Sequence, residues 1–409
     1  MPKAIVVGAG LSGLSVSISL ERKGFEILMI DRDSEVGGRV QTDLVHGYRC
    51  DRGFQVLPTS YPAAIRQLDF NALNLKFYDS AAHIYKDGKT LSIGHPILFP
   101  KEALSGFLGG VLTLKDAWIL SKLIVRLRLL GPSKILKLSR NSEGKTNLKQ
   151  YLQDLGLSEQ IIGLFLKPFF GGVLLDKHLL SEAWKFLYYL YFFVTGPVAI
   201  PALGMGEISK QLRSRLKKTE FLMNTKVVGV DEKSVRIEGG TTFEADQVIT
   251  ALSQRQTNHL IGQEESESMD VSTFYYSVPR PLMKGRRLLL NGDPESVVTH
   301  VHFPTLVSSE LASNGGTLMS VTVLGQDGNE ASVRSEIDTE LCKIFDLTKP
   351  CWEMIHFLHI DDALPRNQLA GRLPPRRSGP ISIGDWLTTG SIQGALECGE
   401  KITEWLEPQ

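Results

Sequence analysis

Lys3-Ala4-Ile5-Val6-Val7, followed by Gly8-Ala9-Gly10-Leu11-Ser12-Gly13, is the stretch on which the fold turns. The first run has the β-branched character of a short strand. The spacing of Leu14, Ile18 and Leu20 makes 12–23 a helix, and 25–30 is a second apolar strand. Strand, glycine turn, helix and strand form a βαβ unit. Each glycine has its own part in the turn. Gly8 permits the tight bend, Gly10 has no Cβ to block a pyrophosphate, and Gly13 lets helix and strand approach closely. The helix N-terminus beyond them presents unbonded N–H groups and about half a positive charge. The glycine pattern alone is a weak signal, and its flanks strengthen it. Asp31, followed by Arg32, closes the second strand 18 positions after Gly13. A carboxylate there accepts hydrogen bonds from ribose hydroxyls, at roughly 1.5–3 kcal/mol each. An acid at that place argues against a phosphorylated ribose, hence against NADP, and leaves NAD and FAD equal.

The chain has 409 residues, 42% hydrophobic and 22% charged, which suits two folded domains and excludes disordered and fibrous classes. Lys plus Arg and Asp plus Glu number 45 each, so no global field favours nucleic acid. Cys50, Cys342, Cys351 and Cys398 show no zinc-type spacing and read as thiols in a reducing compartment. The N-terminus carries no signal-peptide pattern, so the expected location is the cytoplasm. An uncharged stretch over 186–205 approaches bilayer length, but Gly196, Pro197, Pro201 and Gly204 interrupt it, and it reads as buried core.

Residues 61–195 look mainly helical, with Leu-rich segments over 114–130 and 148–166 parted by Gly131-Pro132 and Gly156. A helix to 216 then leads into strands over 225–230, 234–238, 241–244 and 247–250, with Gly239-Gly240 as a turn. Residues 272–360 are rich in short strands such as 297–303 and 317–324. The end supplies a loop over 372–380, a strand over 381–383 and a closing helix over 391–406.

Two further stretches separate NAD from FAD. The first is Gly37-Gly38-Arg39, followed by Gly53-Phe54-Gln55; the second is Gly384-Asp385 with Ser391-Ile392-Gln393-Gly394-Ala395. With Gly204-Met205-Gly206 and Thr225-Lys226-Val227 between them, the sequence resembles the flavin-containing amine oxidase and phytoene desaturase superfamily. That superfamily includes protoporphyrinogen oxidases and is similar to glutathione reductase in its FAD domain. The resemblance implies an α/β fold: a Rossmann-like FAD-binding domain assembled from 1–60, 196–255 and 355–409, and an inserted α+β substrate domain from 61–195 and 256–354. It also implies that Arg39 offers a forked donor to the pyrophosphate and that Gly53, Phe54 and Gln55 pass along the flavin. Val227 bonds the adenine through its backbone, and Asp385 meets the ribityl and pyrophosphate region. The helix start at Ile392 faces the pyrimidine end of the flavin, where its dipole stabilises negative charge on the ring.

The departures from the family pattern narrow the chemistry. The loop Arg377-Ser378-Gly379-Pro380 lacks the cysteine of covalent amine oxidases, so FAD is expected to be non-covalent. No aromatic pair of the kind that cages an amine stands out, and no second GxGxxG marks an NADPH site. The expected reaction is hydride transfer from a large apolar substrate of carotenoid, isoprenoid or porphyrinogen type, with oxygen or a quinone as electron acceptor. An amine oxidase and a non-catalytic flavin scaffold are the rival readings. No acid or base residue is identified.

Weaker signals have two readings each. The aromatic segment 165–193 is a helical core or the lining of an apolar tunnel. The basic amphipathic stretch 115–140 is a solvated helix face or a peripheral contact with an anionic membrane. His300 and His302 share one face of a strand without metal-ligand spacing to a carboxylate or cysteine, so no metal is expected.

Overall fold

The structure is a computed structural model that describes residues 1–325, 330–371 and 379–405. Strand Lys3–Val7 lies at the centre of a five-stranded parallel sheet in the order Glu220–Leu222, Glu26–Ile30, Lys3–Val7, Gln247–Thr250, Ile381–Ser382. Its strands come from the beginning, middle and end of the chain. Val6, Met29 and Ile249 are wholly buried, as befits strands covered on both faces. Helix Leu11–Arg22 and the closing helix Ile392–Trp405 cross beside this sheet at small residues. A Cβ on Gly399 would lie 2.5 Å from the Ser15 Cβ, and Ser15 Oγ donates to the Leu396 carbonyl at 2.9 Å. Strands Val227–Val230, Ser234–Ile237 and Thr242–Glu244 form a separate antiparallel meander, turned at Gly239-Gly240 with φ of 91° and 92°.

The second large sheet has seven strands in the order Glu353–Pro365, Ser268–Val278, Thr317–Val323, Val298–His302, Leu288–Asn291, Ala81–Lys86, Lys89–Gly94. Two of its features correct the sequence expectation. The region expected to be helical contains the hairpin Ala81–Lys86 and Lys89–Gly94, turned at Asp87-Gly88 with positive φ at both residues. It joins the sheet by parallel pairing with Leu288–Asn291. The region expected to be rich in short strands also contains helix Glu330–Ile344, whose Val333, Ile337, Leu341 and Ile344 pack on Phe274, Tyr276, Met319 and Val321. That spacing is helical.

The helical insertion runs through Pro100–Leu108, Leu114–Leu138, Leu148–Asp154, a π-helical turn Ile162–Leu166, Lys167–Leu174 and Ala183–Thr195. Helix Leu114–Leu138 breaks at Gly131, with φ 69° ahead of Pro132, where the sequence places the break. The uncharged stretch begins inside Ala183–Thr195 and leaves it at Gly196-Pro197 for strand Val198–Ile200. Among the described residues no helix is long and apolar enough to cross a membrane. Of the aromatic segment, Phe170, Trp184, Phe186, Tyr188 and Phe192 are core, with Phe170 and Phe186 edge to face at 4.6 Å. Phe165, Phe169 and Phe193 stay half-buried and pack on one another.

Candidate functional site

The first glycine turn shows which of its residues serve the fold and which leave room. Gly8 has φ 108°, and a Cβ on it would sit 2.5 Å from the Ala251 carbonyl oxygen; on Gly13 it would sit 1.9 Å from that of Gly8. Both positions are closed to any side chain. Gly10 differs: its φ is −72°, a conformation open to every residue, and a Cβ there would meet nothing within 4 Å. The space lies at the N-terminus of helix Leu11–Arg22, whose first turn includes the buried Leu11 and Ser12. A bare glycine before empty space is the cradle a pyrophosphate needs. Gly37 donates its N–H to the Ala9 carbonyl at 2.9 Å, and a Cβ on Gly38, at φ 57°, would lie 3.5 Å from the Gly10 Cα.

Asp31 closes the far side. One carboxylate oxygen accepts from Ala9 N–H at 2.6 Å and the other from Asp33 N–H at 2.9 Å. Burial nevertheless pushes its pKa up. Arg32 points outward, its side chain 67% exposed. Thr225 N–H donates to the Asp31 carbonyl at 2.8 Å, and Val227, two residues on, opens the first strand of the meander.

Arg39 joins the two ends of the chain. It donates Nη1–H to the Ala363 carbonyl and Nη2–H to Asp385 Oδ1, both at 2.8 Å. Burial opposes its charge, and the adjoining Asp385 carboxylate more than restores it, so the guanidinium pKa moves up. Two of its donors are therefore committed within the protein, a role the expected pyrophosphate fork did not anticipate. Gly384 and Asp385 bring the C-terminal segment to this clasp. Ser391 Oγ caps the closing helix, accepting from Gly394 N–H at 3.0 Å, and Ile392 and Ala395 are half-buried in its first turn. Gln393, the next residue of the expected flavin motif, spends its side chain within the protein. Its Oε1 accepts from Ala63 N–H at 2.8 Å and its Nε2 donates to Glu397 at 3.2 Å, so the amide ties the helix to the insertion.

Gly53, at φ 85°, turns the chain onto the seven-stranded sheet, against Val271 and Ile360. Phe54 then stands edge-on to both His300 and His302, with centroids 4.8 Å from each. Gln55 donates to the Arg39 carbonyl at 2.7 Å, while its buried Oε1 has no partner. A cavity of ≈ 10 Å³, room for about one water, lies among Arg49, Asp51, Phe54, Gln55, Tyr78, Tyr275 and His302. Burial lowers the His300 pKa to about 3 and that of His302 strongly in the same direction. Both imidazoles are neutral. Burial raises Asp51 to about 6, against hydrogen bonds from Thr42 at 2.5 Å and Met205 N–H at 2.8 Å. Strand alternation put the two histidines on one face, but which face met Phe54 was a tertiary fact. Among the described residues no group of three or more His, Cys, Asp or Glu is placed to hold a metal.

The bare cradle at Gly10, the capped helix start at Ser391 and the unpartnered Gln55 Oε1 fit a bound FAD. Fold and site define an FAD-dependent oxidoreductase. The chain belongs to the flavin-containing amine oxidoreductase family, whose model matches residues 11–401. Protoporphyrinogen oxidase 2 of Arabidopsis thaliana is 24% identical over 191 residues, 45% of this chain and 36% of that protein. The 4,4'-diapolycopene oxygenase of a Methylomonas species is 40% identical over 55 residues, 13% of this chain and 11% of that protein. The chain thus spans about a third or less of the length of these curated relatives. Among solved structures, an oxidoreductase from Methanosarcina mazei superposes with TM-score 0.76 at 19% identity, over 98% of this chain and 100% of that one. Cyclohexylamine oxidase from Brevibacterium oxydans IH-35A gives 0.71 at 15% identity over 100% of both. At those identities the likeness is one of fold. The Arg377-Ser378 part of the loop before the last strand lies outside the described residues.

Proposed function

We propose that this enzyme oxidises or desaturates a large apolar molecule drawn from a lipid surface, and passes the electrons to oxygen or a quinone. One observation carries the reading. Helix Leu114–Leu138 has two apolar faces: Leu123 and Leu127 are buried, while Leu114, Trp118, Val125 and Leu129, also at helical spacing, are 81, 62, 58 and 79% exposed. Ile97, Leu98, Leu104 and Leu108 extend the exposed apolar surface onto the preceding segment. Lys122 holds its ammonium 4.2 Å over the Trp118 ring. Aromatic and aliphatic side chains rimmed by lysines suit the interface of an anionic bilayer. We accordingly read 115–140 as a peripheral membrane contact.

Bound FAD supplies the two-electron acceptor. Around it, the helix start at Gly10 and the N–H of Gly38 hold phosphate, and Asp31 accepts from ribose. The N–H groups at Ile392 stabilise negative charge at the other end. Phe54, Tyr78 and Tyr275 keep water from the reacting face. On this reading the chain divides into an FAD-binding part and a substrate part, and we place the return to the former after Pro365, because Glu353–Pro365 pairs along Ser268–Val278. The test is incubation of the yellow protein with lipid extract, followed by mass spectrometry and flavin absorbance. Flavin reduction by an apolar lipid supports the reading, and reduction by amines alone overturns it.

A further inference from the structure

The central strands of the seven-stranded sheet are buried on both sides, yet their two faces differ in chemistry. Alternation sends Phe274, Tyr276, Met319, Val321 and Val301 to the face covered by helix Glu330–Ile344. It sends Thr273, Tyr275, Ser320, Thr322, His300 and His302 to the other. The register aligns these in two rows, His300–Thr322–Thr273 and His302–Ser320–Tyr275. All six are at most 4% exposed. Such a position calls for apolar side chains, since a buried polar atom without a partner is destabilising. Nevertheless Thr273 Oγ1, Thr322 Oγ1, His300 Nε2 and His302 Nδ1 have no partner in the protein.

This stripe lies against the segment Gly53–Gln55. Gly53 faces Val271 and Ile360, on the same face as Thr273, and Phe54 touches both imidazoles. Gln55, whose Oε1 fits the cofactor, lines one cavity with His302 and with Tyr275, whose hydroxyl donates to the Asp51 carbonyl at 2.6 Å. The same cavity is bordered by one cation, Arg49, and one carboxylate, Asp51. Their charges offset, and the other polar groups are the Tyr78 and Tyr275 hydroxyls, the Gln55 amide and the His302 imidazole, beside apolar Phe54, Ile200 and Pro304. Such a set complements a neutral group that both donates and accepts, and gives no net attraction to an ammonium.

Resting on the reading of an apolar substrate, we propose that this stripe is a hydrogen-bonding subsite for an uncharged oxygen function, a hydroxyl or carbonyl, on that substrate. The molecule oxidised is then an oxygenated lipid and not a plain hydrocarbon. Thr273 and Thr322 are specificity-determining residues, and Phe54 fixes the two histidines by packing on both rings.

The test uses FAD-loaded protein titrated anaerobically with farnesol, farnesene or farnesylamine, read as perturbation of the flavin absorption spectrum. Farnesol should bind at least tenfold more tightly than farnesene, with farnesylamine weakest. In a Thr273→Val, Thr322→Val double variant the advantage of the alcohol should fall to within twofold, with farnesene affinity unchanged. Both substitutions keep side-chain volume; should the double variant not fold, Thr322→Val alone should lose at least threefold of the preference. Farnesene binding as well as farnesol, or an alcohol preference that survives the substitutions, overturns the subsite and leaves the apolar-substrate reading standing. Tightest binding by farnesylamine, or no response to any of the three, overturns both.

Discussion

Replacing Gly10 by alanine separates what the glycine turn does for the fold from what it does for the ligand. The φ of −72° at Gly10 is open to alanine, and the new Cβ meets nothing within 4 Å. The apoprotein should therefore keep its stability or gain about 0.4–1 kcal/mol from the reduced freedom of the unfolded chain. Bound FAD meets the opposite situation, because the methyl group takes the space for the pyrophosphate. Losing two charge-assisted hydrogen bonds at roughly 1.5–3 kcal/mol each removes about 3–6 kcal/mol, or roughly a hundred- to ten-thousandfold in Kd. Fluorescence titration of deflavinated protein with FAD measures the second effect, and thermal melts with and without FAD measure both. Melting of Gly10→Ala should not respond to FAD at concentrations that stabilise the wild type. FAD affinity within threefold of wild type would place the pyrophosphate elsewhere and refute the assignment of the cradle.

Asp385→Asn should cost about 1–3 kcal/mol in denaturant unfolding, because it leaves the Arg39 charge without its counter-ion in a site that is only partly open to water; an unchanged midpoint would show that the clasp is idle. Asp51 sits at about 6 in the folded chain against an ordinary 3.8, so the folded state holds its proton to higher pH. Its contribution is complete below pH 4 and is lost as pH rises through 6, a fall of about 3 kcal/mol. Asp51→Asn, whose Oδ1 still accepts from Thr42 and Met205, should flatten that part of the stability–pH curve, and parallel curves would remove the attribution. Trp118→Glu should reduce sedimentation with anionic vesicles about tenfold, a loss of ~1.4 kcal/mol, without changing the flavin spectrum. Equal sedimentation would sink the membrane face.

Legibility in the sequence followed the range of the forces involved. The roles of Gly8 and Gly13 are set by atoms a few residues away or in the adjoining strand, so the pattern of the turn sufficed. The break at Gly131-Pro132 is local in the same sense. The hairpin at Asp87-Gly88 had a local signal too, a two-residue turn of the favoured type, but its strands gain their stability from Leu288–Asn291, about 200 residues away. Helix Glu330–Ile344 was similarly legible in the spacing of Val333, Ile337 and Leu341. Arg39–Asp385 and Gln393–Ala63 were not, because these partners are 346 and 330 positions apart and the fold alone brings them together. The polar stripe was half legible: alternation fixed that His300 and His302 share a face, and only the packing of Phe54 fixed what that face meets.

The exposed stripe on helix Leu114–Leu138 and the buried stripe on the seven-stranded sheet make sense as two ends of one physical problem. A lipid that carries a hydroxyl or carbonyl keeps that group hydrated at the bilayer surface. Moving it into a wholly apolar tunnel would forfeit those bonds, at roughly 2–7 kcal/mol, more than the ~0.8 kcal/mol that one buried methylene returns. Hydroxyls and imidazoles waiting without partners beside Phe54 reverse the sign for the oxygen-bearing end and leave it unchanged for the hydrocarbon. The stability that the protein gives up by burying Thr273, Thr322, His300 and His302 unbonded is then recovered on binding. That orients the molecule as well as attracting it, because only one end of an oxygenated lipid can make those bonds.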